Sequence, residues 1–271
     1  MNKRKKIGIL TLFCLSCIVF LFSGYMFISN IAKYRAAADT YQDIRTEFQR
    51  NSLPISTENP AEEIENETKT LLPELNAEPP KPLVSMDFSD LQEINPEIVG
   101  WIRCEGADID YPVMQTDNNS YYLTHLYNGE YNSSGAIFMD YRSKADFSDK
   151  NTIIYGHNMK NSTMFGNLKK YKNQDFYANN PTMKLLTPHG DYLIELISGT
   201  VEDGNYEFVR FDLESNKAFL DYVEELRSRS TFTSYANVRA DDKIICFCTC
   251  SYEWNNARYM VVGRKLRLYQ P

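Results

Sequence analysis

Residues Ile7 to Ile28 make 22 consecutive positions without a charge, rich in Leu, Ile, Phe and Cys. As a helix this run is about 33 Å long at ~1.5 Å per residue, enough for a hydrocarbon core of ~30 Å. Lys3, Arg4, Lys5 and Lys6 stand directly before it. Four cations on a short tail predict a cytoplasmic N-terminus, with everything after residue 29 exported. The rival reading is a cleaved signal peptide, whose apolar region is shorter, ~7–15 residues. Ala36, Ala37 and Ala38 mimic a small-residue cleavage site but lie well past the apolar run. We therefore expect residues 1–29 to be a cytoplasmic tail and a retained single-pass anchor in the cell membrane. Cys14 and Cys17 within it read as apolar filler.

Residues 30–82 read as a stalk in two parts. Ile31, Tyr34, Tyr41, Ile44 and Phe48 recur at offsets that fit one helix face across 31–50. Beyond it, seven Glu from Glu58 to Glu78 face only Lys69 and Lys81, and six Pro from Pro54 to Pro82 interrupt any regular element. Such a segment cannot bury a core and reads as an extended acidic spacer.

Residues 83–271 read as one globular domain. The chain as a whole is 43% hydrophobic and 13% aromatic, which excludes a wholly disordered protein. A net charge of −7 argues against nucleic acid as a partner, since phosphate binding needs clustered Lys and Arg. Asp87 to Asn95 reads as a short helix with Phe88, Leu91 and Ile94 inward. Ile109, Tyr111 and Val113 alternate as in a strand. Further strand candidates are 135–140, 151–156, 182–187, 191–201, 243–250 and 257–268. One helix is predicted at 215–228, with Ser215 as N-cap and Phe219, Tyr222, Val223 and Leu226 on one face. Many strands without βαβ alternation predict a mainly β fold, a closed barrel of about eight strands with peripheral helices.

Six Cys are too few for a disulfide scaffold in a chain this long. Three of them, Cys246, Cys248 and Cys250, share one face of a predicted strand. Three thiolates on one flat strand cannot wrap a tetrahedral ion, so a zinc site is not expected. Same-face neighbours are also too far apart for a relaxed disulfide. Cys250 borders the polar loop 251–256, where a nucleophile needs to be. A thiol also needs a base or ion-pair partner. His189 lies in a turn between two strands, and His125 in a helical or loop position. His157 follows the apolar strand Ile153-Ile154-Tyr155 and its terminal Gly156, which is how a barrel presents a polar group at its rim. Arg258 opens the last strand, eight residues after Cys250. Adjacent strands would set the two side by side, with forked donors for an oxyanion.

Taken in order, Tyr155-Gly156-His157-Asn158-Met159, Cys248-Thr249-Cys250 and Ala257-Arg258-Tyr259-Met260-Val261-Val262-Gly263 resemble the His, Cys and Arg motifs of the sortases. Gly100-Trp101-Ile102, Ile109 to Gln115, Gly135 to Arg142, Asn151 to Ile154 and the late helix 215–228 resemble class B sortases in particular. The resemblance covers roughly residues 86–268. It implies His157 as the catalytic His, Cys250 as the nucleophile and Arg258 as the Arg that positions substrate and oxyanion. It implies substrate contacts at Asn119, Tyr155, Cys248 and Thr249. The Asn118-Asn119 pair leaves the register at that position open. One departure stands out: where the family has Thr-Leu-X-Thr-Cys, this chain has Cys246-Phe247-Cys248-Thr249-Cys250.

The resemblance further implies a cysteine transpeptidase outside a Gram-positive membrane. Its partners would be secreted surface proteins or pilins bearing a C-terminal sorting signal, and an amine of peptidoglycan precursor or pilin. No cofactor and no metal, calcium included, is expected. Two other readings are a papain-like cysteine hydrolase and a non-catalytic, membrane-anchored binding module. The hydrolase needs its His after its Cys, the reverse of the order here. The binding module leaves the ordered His, Cys and Arg motifs accidental.

Overall fold

The computed structural model describes residues 3–51, 88–204, 210, 211, 213 and 215–269. The acidic spacer therefore lies outside the described residues, apart from its helical start. The chain divides into two units, Met1–Asp43 and Ile44–Pro271.

Helix α1, Lys3–Asn51, runs through the first unit and into the second. The stretch Thr11–Gln49 holds an 18-residue window of mean hydropathy 2.1, no part of it buried, and is long and apolar enough to cross a membrane. In the second unit Ile44 and Phe48 are buried. Phe48 stacks on Trp101 with ring centroids 3.9 Å apart, and Arg45 Nε donates to the Asp110 carbonyl at 2.7 Å.

The second unit is a closed eight-stranded barrel. Its strands are β1 (Ile98–Cys104), β2 (Ile109–Met114), β3 (Ile137–Met139), β4 (Asn151–Tyr155), β5 (Thr182–Leu186), β6 (Asp191–Asp203), β7 (Ile244–Cys250) and β8 (Ala257–Tyr269). They close in the order β1-β2-β3-β4-β7-β8-β6-β5. The β2–β3 and β4–β7 pairs are parallel and the remaining pairs antiparallel. Among the described residues, three further α-helices are added: α2 (Ser89–Ile94), α3 (Gln174–Asn179) and α4 (Asn216–Ser228).

The mainly β reading holds, as do the strands foreseen from 109 onward. β1 was foreseen only as a segment of family resemblance. Its sequence IVGWIRC does not alternate because both faces are largely buried, and Phe48 covers Trp101. Ile94 departs from expectation: Phe88 and Leu91 are buried, while Ile94 is 46% exposed at the end of α2. Asn95, not Ile94, ties that end to the fold, donating to the Tyr127 carbonyl at 2.6 Å.

Helix α4 forms as its sequence predicts. Ser215 Oγ accepts from the Ala218 amide at 3.1 Å, a cap of the kind worth ~1 kcal/mol. Phe219, Tyr222, Val223 and Leu226 are buried in one cluster with Ile244, Cys246 and Cys248 of β7 and Met260 and Val262 of β8. α4 thus covers the cysteine-bearing face of β7 up to Cys248.

Candidate active site

The parallel β4–β7 pair brings two sequence signals to one edge of the barrel. Its register sets Tyr155 opposite Cys248. Past that point the two strand ends are stitched together. The Gly156 amide donates to the Cys248 carbonyl at 3.1 Å, Thr249 Oγ1 to the Gly156 carbonyl at 2.7 Å, and Asn158 Nδ2 to the Cys250 carbonyl at 2.8 Å. Gly156 is needed here for space. A Cβ at this position would lie 2.5 Å from Ile137 Cδ1 and 2.7 Å from the Phe165 ring. These bonds fix His157 and Cys250 relative to each other through backbone.

The antiparallel β7–β8 pair sets Arg258 directly across from Cys250. The joining loop 251–256 is anchored as well. The Ser251 amide donates to the Ala257 carbonyl at 2.8 Å. Lys172 Nζ donates to Ser251 Oγ at 3.0 Å and pairs with Glu253. Burial raises the Glu253 pKa, but the bonds from Lys172 and Ser251 outweigh it and hold the carboxyl near about 2.

A cavity of about 280 Å³ opens at this edge. It is lined by His157, Cys250 and Arg258, by Tyr155, Gly156, Cys248 and Thr249, and by Asn119, Leu123 and Phe138. All seven residues singled out in the sequence therefore line one cavity. The other two histidines lie elsewhere. His125 stacks on Tyr121 with centroids 4.1 Å apart, and His189 is exposed in the β5–β6 turn.

Leu123 was not foreseen, because its contribution is a backbone group. Its carbonyl lies 2.8 Å from His157 Nε2. A carbonyl only accepts, so Nε2 carries the proton and Nδ1 is the nitrogen left to accept in the neutral ring. Gly135 lets this segment close: its φ is +59°, and a Cβ there would lie 2.9 Å from the Leu123 carbonyl oxygen.

Asn118 and Asn119 occupy different surroundings. Asn118 Oδ1 accepts from the amides of Ser120 and Tyr121, each at 2.9 Å, and so caps its own turn. Asn119 is the cavity residue. Among the cysteines, Cys246 and Cys248 are buried and Cys250 is partly exposed, all of them free thiols. Burial pushes Cys246 to about 12, and Cys248 likewise well above the usual thiol range. Among the described residues, no three His, Cys, Asp or Glu side chains gather as a metal site.

The Sortase domain family model matches residues 102–266, which contain the whole cavity. The chain belongs to the sortase family. Its relatives are of class B. Sortase B of Listeria monocytogenes is 36% identical over 180 residues, 66% of this chain and 73% of that protein. Sortase B of Staphylococcus aureus is 31% identical over 187 residues, 68% of this chain and 77% of that protein. The solved Staphylococcus aureus sortase B–substrate complex superposes with a TM-score of 0.70 at 26% identity, covering 88% of this chain and all of that one. Sortases are cysteine transpeptidases, so the class of reaction to be explained is acyl transfer through a thiol.

Proposed function

We propose that this class B sortase cleaves a C-terminal sorting signal through a thioester on Cys250 and transfers the acyl group to an amine. The observation that carries the reading is the convergence of His157, Cys250 and Arg258 on one cavity, with Cys250 and Arg258 in cross-strand register. Cys250 Sγ attacks the signal's Thr carbonyl. The carbonyl π pair moves to oxygen, and Arg258 donates to the resulting oxyanion. His157, as imidazolium, gives its Nδ1 proton to the departing amine as the C–N bond breaks. The thioester then awaits an amine of peptidoglycan precursor or pilin. His157 Nδ1 takes the proton of that amine as it attacks, and the thiolate leaves.

The single apolar span of α1 and the four preceding cations support a cytoplasmic N-terminus and an extracellular barrel. Substrate and wall precursor are both presented at that face. The test is incubation of the full chain in detergent micelles with a sorting-signal peptide library, with mass spectrometry of the acyl-enzyme. Cys250→Ala should abolish the adduct, while Cys246→Ala and Cys248→Ala retain most of it. An adduct on Cys248 would overturn the assignment.

A further inference from the structure

Asp140 is fully buried, with no solvent exposure, one residue past the end of β3 at Met139. Its two oxygens accept five bonds. Oδ1 takes the Arg142 amide at 3.0 Å and Arg142 Nε at 2.9 Å. Oδ2 takes Arg142 Nη2 at 2.8 Å, Asn119 Nδ2 at 3.0 Å and the Tyr155 hydroxyl at 3.0 Å. Burial alone would raise its pKa, but these donors more than compensate, and the carboxyl lies below its ordinary value. Asp140 itself does not line the cavity, whereas Asn119 and Tyr155 do.

We propose that Asp140 is a positioning residue of the acyl-transfer site, acting through Asn119 and Tyr155. The proposal rests on the transpeptidase reading above. Asn119 is held at both ends of its carboxamide. Nδ2 donates to Asp140, and Oδ1 accepts the Tyr141 amide at 3.0 Å. The amide orientation is thereby fixed, leaving one N–H for substrate. Tyr155, which lines the cavity, gives its only proton to Asp140, so its oxygen is left as an acceptor. The cavity wall then offers one donor and one acceptor of set polarity, a match for the alternating N–H and C=O of an extended peptide. Without the carboxylate the Tyr155 hydroxyl is free to rotate and exchange roles, and Asn119 keeps only the Tyr141 amide as an anchor. Arg142 keeps the carboxylate ionised, and its guanidinium is itself braced 4.7 Å over the Phe211 ring.

Asp140→Asn tests this with nearly unchanged volume. A carboxamide has one acceptor oxygen, and its NH₂ would confront donors. Either the Arg142 side or the Asn119 and Tyr155 side must let go. Bonds to a charged group are each worth ~10–100-fold. We expect kcat/KM for peptides selected from the library to fall at least ~10-fold, mainly through KM. The rate of Cys250 alkylation by iodoacetamide should stay within about twofold. The deciding readout is a double-mutant cycle in the full chain. In an Asn119→Ala, Tyr155→Phe background, Asp140→Asn should cost less than about threefold, because the groups it acts through are gone. Costs that multiply in full would overturn the proposal in favour of a purely structural carboxylate.

Should Asp140→Asn not fold, Asn119→Asp serves. It sets a second carboxylate against Asp140 and should be ~10-fold worse than Asn119→Ala. Equal activities would overturn the proposal. A wild-type chain that forms no acyl-enzyme with any peptide refutes the transpeptidase reading instead. A crystal structure of Asp140→Asn then still decides the positioning role: displaced Asn119 and Tyr155 side chains support it, unmoved ones refute it.

Discussion

Lys265 lies on β8 with only 7% of its surface exposed. Its Nζ donates to the Phe147 carbonyl at 2.6 Å, to Thr152 Oγ1 at 3.1 Å and to the Asp149 carbonyl at 3.5 Å. All three acceptors are uncharged, so no ion pair offsets the loss of water. Burial, with a smaller push from Lys243, outweighs the pull of Asp149 and Asp146 and brings the amine down to about 7. The unfolded chain would hold the same proton up to about 10.5. Between those values the unfolded state binds more protons, so stability must rise with pH at up to ~1.4 kcal/mol per unit from this group. From pH 7.5 to 9.5 the gain is about 2.5 kcal/mol by that relation, or ~5–10 °C in melting temperature for a unit this size. Lys265→Met has no proton to lose and should lack this gain. The assay is unfolding of both chains in detergent micelles across that range, followed by fluorescence of the fully buried Trp101. Stabilities that run parallel to within ~0.5 kcal/mol would refute a neutral buried Lys265.

His157→Ala should lower turnover by ~10²–10⁴-fold, while His125→Ala and His189→Ala leave it intact; steady-state transpeptidation rates would reveal a wrong choice of base if His189→Ala fell equally. Arg258→Lys keeps a charge but loses the fork, so its rate should drop on the order of 10²–10³-fold with little change in melting temperature. A near-normal rate there would reduce Arg258 to background field. Gly156→Ala pushes a methyl into Ile137 and Phe165. It should cost ~1–3 kcal/mol in denaturant unfolding, with a slowed Cys250 alkylation because the strand end carrying His157 must shift. An unchanged unfolding midpoint would contradict the close packing seen at that position.

Much of this architecture is legible in the sequence because the strands are apolar runs bounded by turn residues. β4 and β7 stand out for that reason, and their ends at Gly156 and Cys250 mark the cavity. β1 is less legible, since a strand buried on both faces does not alternate, and the helix residue that covers it, Phe48, is remote in sequence. At the site the side chains His157, Cys250 and Arg258 carry a signal, whereas the Leu123 carbonyl carries none. Backbone groups are the same at every position, and only the fold decides which one meets His157. The role of Asp140 carries no local signal for a related reason. Asp140 ends the strand candidate 135–140, and nothing local reveals that Asn119 and Tyr155 converge on it.

The cysteine run shows how the fold turns three alternating thiols into a selective site. Cys246 and Cys248 sit in the apolar cluster beneath α4, and that cover stops short of Cys250, which is partly exposed. With Cys246 held at about 12, its thiolate fraction at pH 7 is on the order of 10⁻⁵. Cys248 lines the cavity yet is 2% exposed and likewise held in the thiol form by burial. Strand periodicity presents all three to one face, so spacing alone cannot distinguish them. What distinguishes them is burial, since Cys246 and Cys248 belong to the apolar cluster and Cys250 does not. On the transpeptidase reading, burial in that cluster therefore selects which sulfur receives the acyl group, because only Cys250 stands outside it.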